Sequence, residues 1–143
     1  MKKVRSLIPP GDGMADDSGM ERLPGSLPQR ALRVGLFGIG NAAYWPQFEG
    51  LEQRLLGYVD EVTAKLARPG VEVLNLGLVD SPAKAEAAGR QFREADIDLL
   101  FLHVTTYALS STVLPVVQRT KVPVILLNLQ LEAAIDYERF NAL

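Results

Sequence analysis

From Leu32 onward, short apolar runs alternate with segments in which apolar residues recur every three or four positions. Short apolar runs predict β-strands, and the longer spacing predicts helices with one buried face. We therefore predict strands over residues 33–38, 71–76, 97–104 and 122–130, separated by three helices. Strands that alternate with helices are typical of βαβ units and a parallel sheet.

Each predicted helix has its own pattern. The first follows Pro46 and is expected to bury a stripe formed by Phe48, Leu51, Leu55, Val59, Val62 and Leu66. The second begins where Ser81 can cap it and Pro82 can take the first position, at which a missing N–H is harmless. The third covers residues 110–119, and we expect Pro115 in or near its first turn because proline disrupts helix interiors.

These elements predict an α/β fold, with a flavodoxin-like or Rossmann-like parallel sheet of about four strands flanked by helices on both faces. A flavodoxin-like sheet has five strands. We therefore expect a sheet that is incomplete at the C-terminus, with an apolar edge strand, as in a fragment or an excised domain.

Residues 1–31 are rich in proline and glycine and are predicted to form a flexible leader or an arm that orders against a partner. Residues 32–143 are predicted to form the α/β domain.

Composition narrows the class of protein. The chain has no cysteine, which excludes disulfides, thiolate nucleophiles and cysteine metal sites. Its formal net charge of −2 gives no reason to expect binding to nucleic acid or to an anionic membrane. The apolar runs are too short for a signal peptide or a membrane span. We expect a cytoplasmic protein with no nucleic-acid or membrane partner.

Ligands of open parallel sheets bind beyond the carboxyl ends of the strands. The loops predicted there carry aromatic and hydrogen-bonding groups and almost no charge. They include Asn41, Tyr44, Trp45, His103, Thr106, Tyr107 and Gln130. Such groups suit a neutral polyhydroxylated ligand. Polar loops also occur at sheet edges that bind nothing, so the pattern alone is a weak indication of a sugar site.

The loop after the first strand has the G-x-G-x-x-A spacing of a dinucleotide site, from Gly38 to Ala43. That motif needs a helix that opens at the glycine turn and an acidic residue at the end of the second strand. Here the predicted helix starts beyond Pro46, and the predicted second strand ends at Leu76 with no acid before Asp80. The sequence therefore disfavours a dinucleotide site.

Three segments resemble the N-terminal domain of the L-arabinose isomerase and L-fucose isomerase-like sugar isomerases: GLFGIGNAAYWPQFEGLEQRLLGY, LLFLHVTTYALSSTVLPVVQR and PVILLNLQLEAAIDY. The resemblance covers residues 32–140. It implies part of a metal-dependent aldose–ketose isomerase, an intramolecular oxidoreductase. In such an enzyme this domain helps to enclose the sugar and to contact neighbouring subunits, and the residues of the predicted loops serve these two roles.

The chain also departs from that family. The family's manganese-type divalent metal is held by two glutamates and two histidines located further along a longer chain, whereas this chain has a single histidine. We therefore expect no catalytic residue, metal site or cofactor on this chain, and no isomerase activity from its 143 residues alone. The expected partners are a sugar substrate and the remaining domains or neighbouring subunits of a homo-oligomer. Two alternatives are a stand-alone domain that binds a small polar ligand without catalysis and a purely structural role in assembly.

Overall fold

The structure is a computed structural model that describes residues 30–129. Almost all of the predicted leader, and the candidate site residue Gln130, lie outside these residues. Four strands and three helices alternate, as predicted. They are β1 (Leu32–Ile39), α1 (Leu51–Leu66), β2 (Val71–Val79), α2 (Pro82–Glu94), β3 (Leu99–His103), α3 (Ser110–Thr120) and β4 (Val124–Leu127).

The strands form one parallel sheet in the order β2-β1-β3-β4. This order is a flavodoxin-like topology and confirms the predicted fold class. The chain adds β2 on one side of β1 and then crosses over to add β3 on the other side. The carboxyl ends of β1 and β3 therefore form the switch point at which ligands of such sheets bind.

The core consists of two apolar layers on opposite faces of the sheet. One layer packs α2 and α3 against the sheet around Phe37, Phe92 and Val116. The other packs α1 against the sheet around Leu36 and Val59. Because neighbouring residues of a strand point to opposite faces, β1 contributes to both layers, and this explains its nearly continuous apolar sequence.

Helix α1 begins later than predicted. Its N-cap is Gly50, whose φ of 73° is in the left-handed region that glycine adopts without strain. Leu55 and Val59 are buried as predicted, but Phe48 lies before the helix and is 40% exposed. The extension of the buried stripe to Phe48 was wrong because the chain turns at Gly50 before the helical period starts.

Helix α2 has the predicted cap, and α3 departs from its prediction. Ser81 Oγ accepts a hydrogen bond from the Lys84 backbone N–H at 3.4 Å, with Pro82 in the first helical position. Pro115 lies inside α3 rather than in or near its first turn, which corrects that prediction. Its missing N–H leaves the carbonyl of Ser111 without a helical partner, and Ser111 is exposed, so water can pair with this carbonyl.

Strand β2 continues three residues beyond its predicted end at Leu76, to Val79. Gly77 has a φ of 66°, and the pairing with β1 shifts register beside it, which is a β-bulge. The Asn75 side-chain oxygen accepts a hydrogen bond from the Gly77 N–H at 2.8 Å and stabilises the bulge. The turn-like residues are therefore a bulge within the strand, and Asp80 follows the strand directly.

Candidate functional site

Asp80 anchors the loop between β1 and α1 to the end of β2. Its carboxylate is buried, and Oδ2 accepts hydrogen bonds from Trp45 Nε1 at 2.9 Å and from Lys84 Nζ at 2.7 Å. Burial raises the pKa of Asp80, but the hydrogen bonds from Lys84 and Trp45 outweigh it and hold the pKa below its ordinary value. An ionised carboxylate therefore fixes the only tryptophan of the chain in place.

The Trp45 ring packs over Gly40. A Cβ at Gly40 would lie 3.0 Å from Trp45 Cζ2 and 3.3 Å from Asp80 Cβ, so close approach of the indole requires glycine there. The backbone N–H of Gly40 donates to Val79 O at 3.0 Å, and that of Ala42 donates to Asp80 O at 3.2 Å. These amides are used within the protein and cannot hold a phosphate.

Asn41 has a local structural role. Its side-chain oxygen accepts a hydrogen bond from the Ala43 N–H at 3.2 Å and caps the 3₁₀ turn Ala42–Tyr44. Three amides of the glycine loop are thus satisfied internally. The structure still disfavours a dinucleotide site. The predicted lack of an acidic residue at the end of the second strand, however, was wrong. Asp80 directly follows β2, but its carboxylate already accepts hydrogen bonds from Trp45 and Lys84.

A cleft of about 640 Å³ lies between the loop after β1 and the loop after β3. Its lining residues are Tyr44, Gln47, Phe48, Glu49, Leu51, Arg54 and Thr106. Two of the predicted site residues, Tyr44 and Thr106, are therefore brought together from separate strand ends. The Tyr44 and Phe48 rings meet edge to face, with centroids 5.9 Å apart.

The cleft also corrects the expectation that this edge carries almost no charge. Glu49 and Arg54 line it, and neither is among the predicted site residues. Phe48 was missed as a site residue because it had been assigned to the buried stripe. A sequence cue for these residues is the aromatic pair Tyr44 and Phe48, four positions apart on either side of Pro46.

His103 ends β3, opposite Gly38 of β1 and Leu127 of β4, and is 3% exposed. Its Nδ1 atom is buried, and none of residues 30–129 gives it a hydrogen-bond partner. Burial lowers the pKa of His103, so the imidazole is neutral at pH 7. An unpaired buried nitrogen of this kind costs roughly 1–3 kcal/mol. His103 is not among the residues that line the cleft.

A hydroxyl group connects the loop after β3 to the end of β1. Thr105 Oγ1, in the loop after β3, donates a hydrogen bond to the Ile39 carbonyl at the end of β1. The methyl group of Thr105 also lies against Gly38, where a Cβ would be 3.1 Å away. Thr105 therefore holds the neighbouring Thr106 near the loop that carries Tyr44. Thr105 belongs to the predicted loop after the third strand, and the structure gives it a positioning role.

The remaining predicted residues are scattered. Trp45 is half-buried and uses its N–H on Asp80. Tyr107 is 62% exposed and does not line the cleft. The structure thus brings Tyr44 and Thr106 into one cleft, and assigns Asn41 and Trp45 to loop architecture.

The metal implied by the resemblance does not fit the residues described. Between residues 30 and 129, no group of three or more His, Asp or Glu side chains is placed to hold a metal ion. His103, the one imidazole, is buried beside glycine and leucine positions of the neighbouring strands. We therefore derive no chemical step through a metal.

No helix in this part of the chain is long and apolar enough to cross a membrane.

Comparisons of the chain with protein-family models, with curated proteins and with solved structures found no match. The resemblance to sugar isomerases therefore remains a prediction that depends on the three segments quoted above. The structure itself establishes a flavodoxin-like α/β fold with a cleft at its switch point.

Proposed function

We propose that this domain binds a small, neutral polyhydroxylated molecule, of which an open-chain sugar is the leading example. The observation that carries the proposal is that Tyr44 and Thr106, from the loops after β1 and β3, line a single cleft at the switch point of the sheet. The cleft volume of about 640 Å³ falls within the range of roughly 300–1,000 Å³ usual for small-molecule sites.

The chemistry of the lining supports this class of ligand. The Tyr44 and Phe48 rings stand nearly perpendicular, at 84°, and offer apolar surfaces to the C–H groups of a sugar. Thr106 and Gln47 offer hydroxyl and amide groups for its hydroxyls. Glu49 and Arg54 have opposite charges, so the lining has no net charge that would favour a phosphate.

The resemblance suggests a setting for such a site. We propose that the domain serves as the N-terminal domain of an aldose–ketose isomerase, where it encloses the substrate and contacts neighbouring subunits. This proposal is favoured by the position of the cleft, because Tyr44 and Thr106 lie in two of the segments that carry the resemblance. The metal and the base would come from other parts of the enzyme. A stand-alone sugar-binding module is the alternative.

Two experiments separate these proposals. The first is an NMR titration of the whole chain with L-arabinose, L-fucose and a sugar phosphate. Saturable shifts with the neutral sugars, and weaker shifts with the phosphate, would support the sugar site. The absence of saturation with any neutral sugar would contradict it.

The second experiment measures aldose-to-ketose conversion with added Mn²⁺, by the purified chain alone and by the chain mixed with the protein encoded downstream of it. Conversion only in the mixture would support the isomerase domain. Conversion by the chain alone would contradict the expectation that metal and base come from elsewhere. Sugar binding without conversion in either sample would favour the stand-alone module.

A further inference from the structure

Most of the cleft lining comes from one short segment of the loop after β1. Four lining residues lie within residues 44–49: Tyr44, Gln47, Phe48 and Glu49. Trp45 lies in the same segment but is not part of the lining. Its indole nitrogen donates instead to Asp80, which directly follows β2. The segment that forms much of the cleft is therefore also the segment that Asp80 holds.

The segment around Trp45 forms a closed turn. The backbone N–H groups of Gln47 and Phe48 both donate to Tyr44 O, each at 3.0 Å. The Gln47 side chain donates to Ala43 O through Nε2 at 2.6 Å. The Tyr44 and Phe48 rings also meet edge to face across the turn. Because these contacts join the two ends of the turn, we expect a shift of Trp45 to displace Tyr44 and Phe48 with it.

Asp80 ties this loop to the end of β2 at two points. Its backbone carbonyl accepts a hydrogen bond from the Ala42 N–H at 3.2 Å, and its carboxylate accepts one from Trp45 Nε1 at 2.9 Å. Within the part of the chain that the structure describes, no other side chain of residues 43–49 forms a hydrogen bond with a residue beyond that segment. The carboxylate of Asp80 is therefore the main polar anchor of the turn.

The position of Asp80 is itself well supported. Its side chain is 4% exposed, and Lys84 Nζ donates to the same carboxylate oxygen at 2.7 Å. Hydrogen bonds with an ionised partner are shorter and roughly twice as strong as neutral ones. Asp80 also lies between the last residue of β2 and Ser81, the N-cap of α2. A strand on one side and a helix on the other thus hold its backbone.

Asp80 does not line the cleft, and neither does Lys84. Any effect of Asp80 on a ligand must therefore pass through Trp45 and the turn. On the basis of the sugar site proposed above, we propose that Asp80 is a positioning residue of that site. Its carboxylate holds Trp45, and through it Tyr44 and Phe48, in the arrangement that binds the sugar.

The physical reason is preorganisation of the turn. Ordering a loop at the moment of binding costs affinity. When only a fraction of the molecules has the binding arrangement, the apparent affinity falls by that fraction. Loss of the charged hydrogen bond to Trp45 should lower the fraction in which the turn is correctly placed.

The sugar affinity of the Asp80→Asn variant tests this role. In NMR titrations of the whole chain with L-arabinose and L-fucose, we expect binding to weaken by roughly three- to tenfold, as for residues that act on a site without contacting the ligand. Asp60→Asn is the matched control, because Asp60 is exposed and bonds only to Asn75. Titrations are made where circular dichroism shows that each variant is folded. Equal affinity of the Asp80→Asn variant and the natural chain would overturn the proposal.

A double-mutant cycle with Trp45→Phe shows whether Asp80 acts through the indole. Phenylalanine keeps an aromatic ring and removes the N–H that Asp80 accepts. If Asp80 acts by holding this N–H, the double variant should lose less affinity than the product of the two single losses. Losses that multiply would show two independent effects and would overturn the proposal.

A measurement without sugar separates this proposal from the proposed function. In the free protein, Asp80→Asn should shift the backbone amide signals of Tyr44, Gln47 and Phe48, and should leave that of Gly57, inside α1, unchanged. If the natural chain binds neither sugar, the proposed function fails, and these amide signals still decide whether Asp80 positions the turn. Unchanged amide signals throughout the turn would overturn the positioning role even if both sugars bind.

Discussion

The Trp45 indole nitrogen lies 2.9 Å from the Asp80 carboxylate, and this hydrogen bond joins the loop after β1 to the end of β2. The two residues are 35 positions apart. Their contact explains why a loop with the glycine spacing of a nucleotide site has another architecture. The indole packs over Gly40, and the carboxylate at the position where a dinucleotide site binds the ribose is already paired with Lys84.

Asp80→Asn should loosen this link. The amide loses the charge that strengthens the hydrogen bonds from Trp45 and Lys84, so we expect a loss of about 1.5–3 kcal/mol in the free energy of unfolding. Because the chain has one tryptophan, its fluorescence should shift to the red. Asp60→Asn is the control, since Asp60 is exposed and accepts one 3.2 Å hydrogen bond from Asn75. Unchanged emission and stability in the Asp80 variant would contradict the link.

Gly40→Ala should also destabilise the loop. The added methyl group would lie 3.0 Å from the Trp45 ring, and displacing the ring is expected to cost about 1–3 kcal/mol, as overpacking does. Gly57→Ala is the matched control, because a Cβ there has nothing within 4 Å. This control should be stabilising by about 0.5–1 kcal/mol, since Gly57 lies inside helix α1. Urea unfolding measures both variants, and equal effects would refute the packing argument.

His103 should make stability depend on pH. Burial lowers its pKa in the folded protein below the ordinary 6.5, so the unfolded chain binds the proton more readily. The free energy of unfolding should therefore fall as the pH drops below about 6.5, and level off below the folded pKa. Because His103 is the only histidine, the His103→Phe variant should lose this dependence between pH 5 and pH 8. The same pH profile in both proteins would show that His103 is not the group responsible.

The order of strands and helices could be predicted from the sequence because strands and helices have different hydrophobic periods. The end of β2 could not. Asn75 and Gly77 resemble a turn, and only pairing with β1 shows that they form a bulge within the strand. Pro115 was placed too early because sequence rules do not show that Ser111, whose carbonyl loses its helical partner, is an exposed residue.

The sequence predicts where the candidate site lies, but only some of the residues that line the cleft there. The parallel sheet predicts a site at the ends of β1 and β3, and Tyr44 and Thr106, from the loops after these strands, line one cleft. Phe48 was assigned to the buried stripe of the first helix, and its position in the cleft follows only from the late start of α1. The role of Trp45 depends on a residue of another strand end, which local patterns do not reveal.

The central claim is that the cleft between Tyr44 and Thr106 binds a neutral sugar, and a matched pair of threonine variants tests it most directly. Thr106→Val removes the hydroxyl from the cleft, whereas Thr63→Val removes one that is bonded to Val59 O within α1, away from the cleft. In NMR titrations with L-arabinose and L-fucose, loss of one neutral hydrogen bond should weaken binding by roughly three- to tenfold for Thr106→Val only. Equal affinity of the Thr106→Val variant, the Thr63→Val variant and the natural chain would contradict the account.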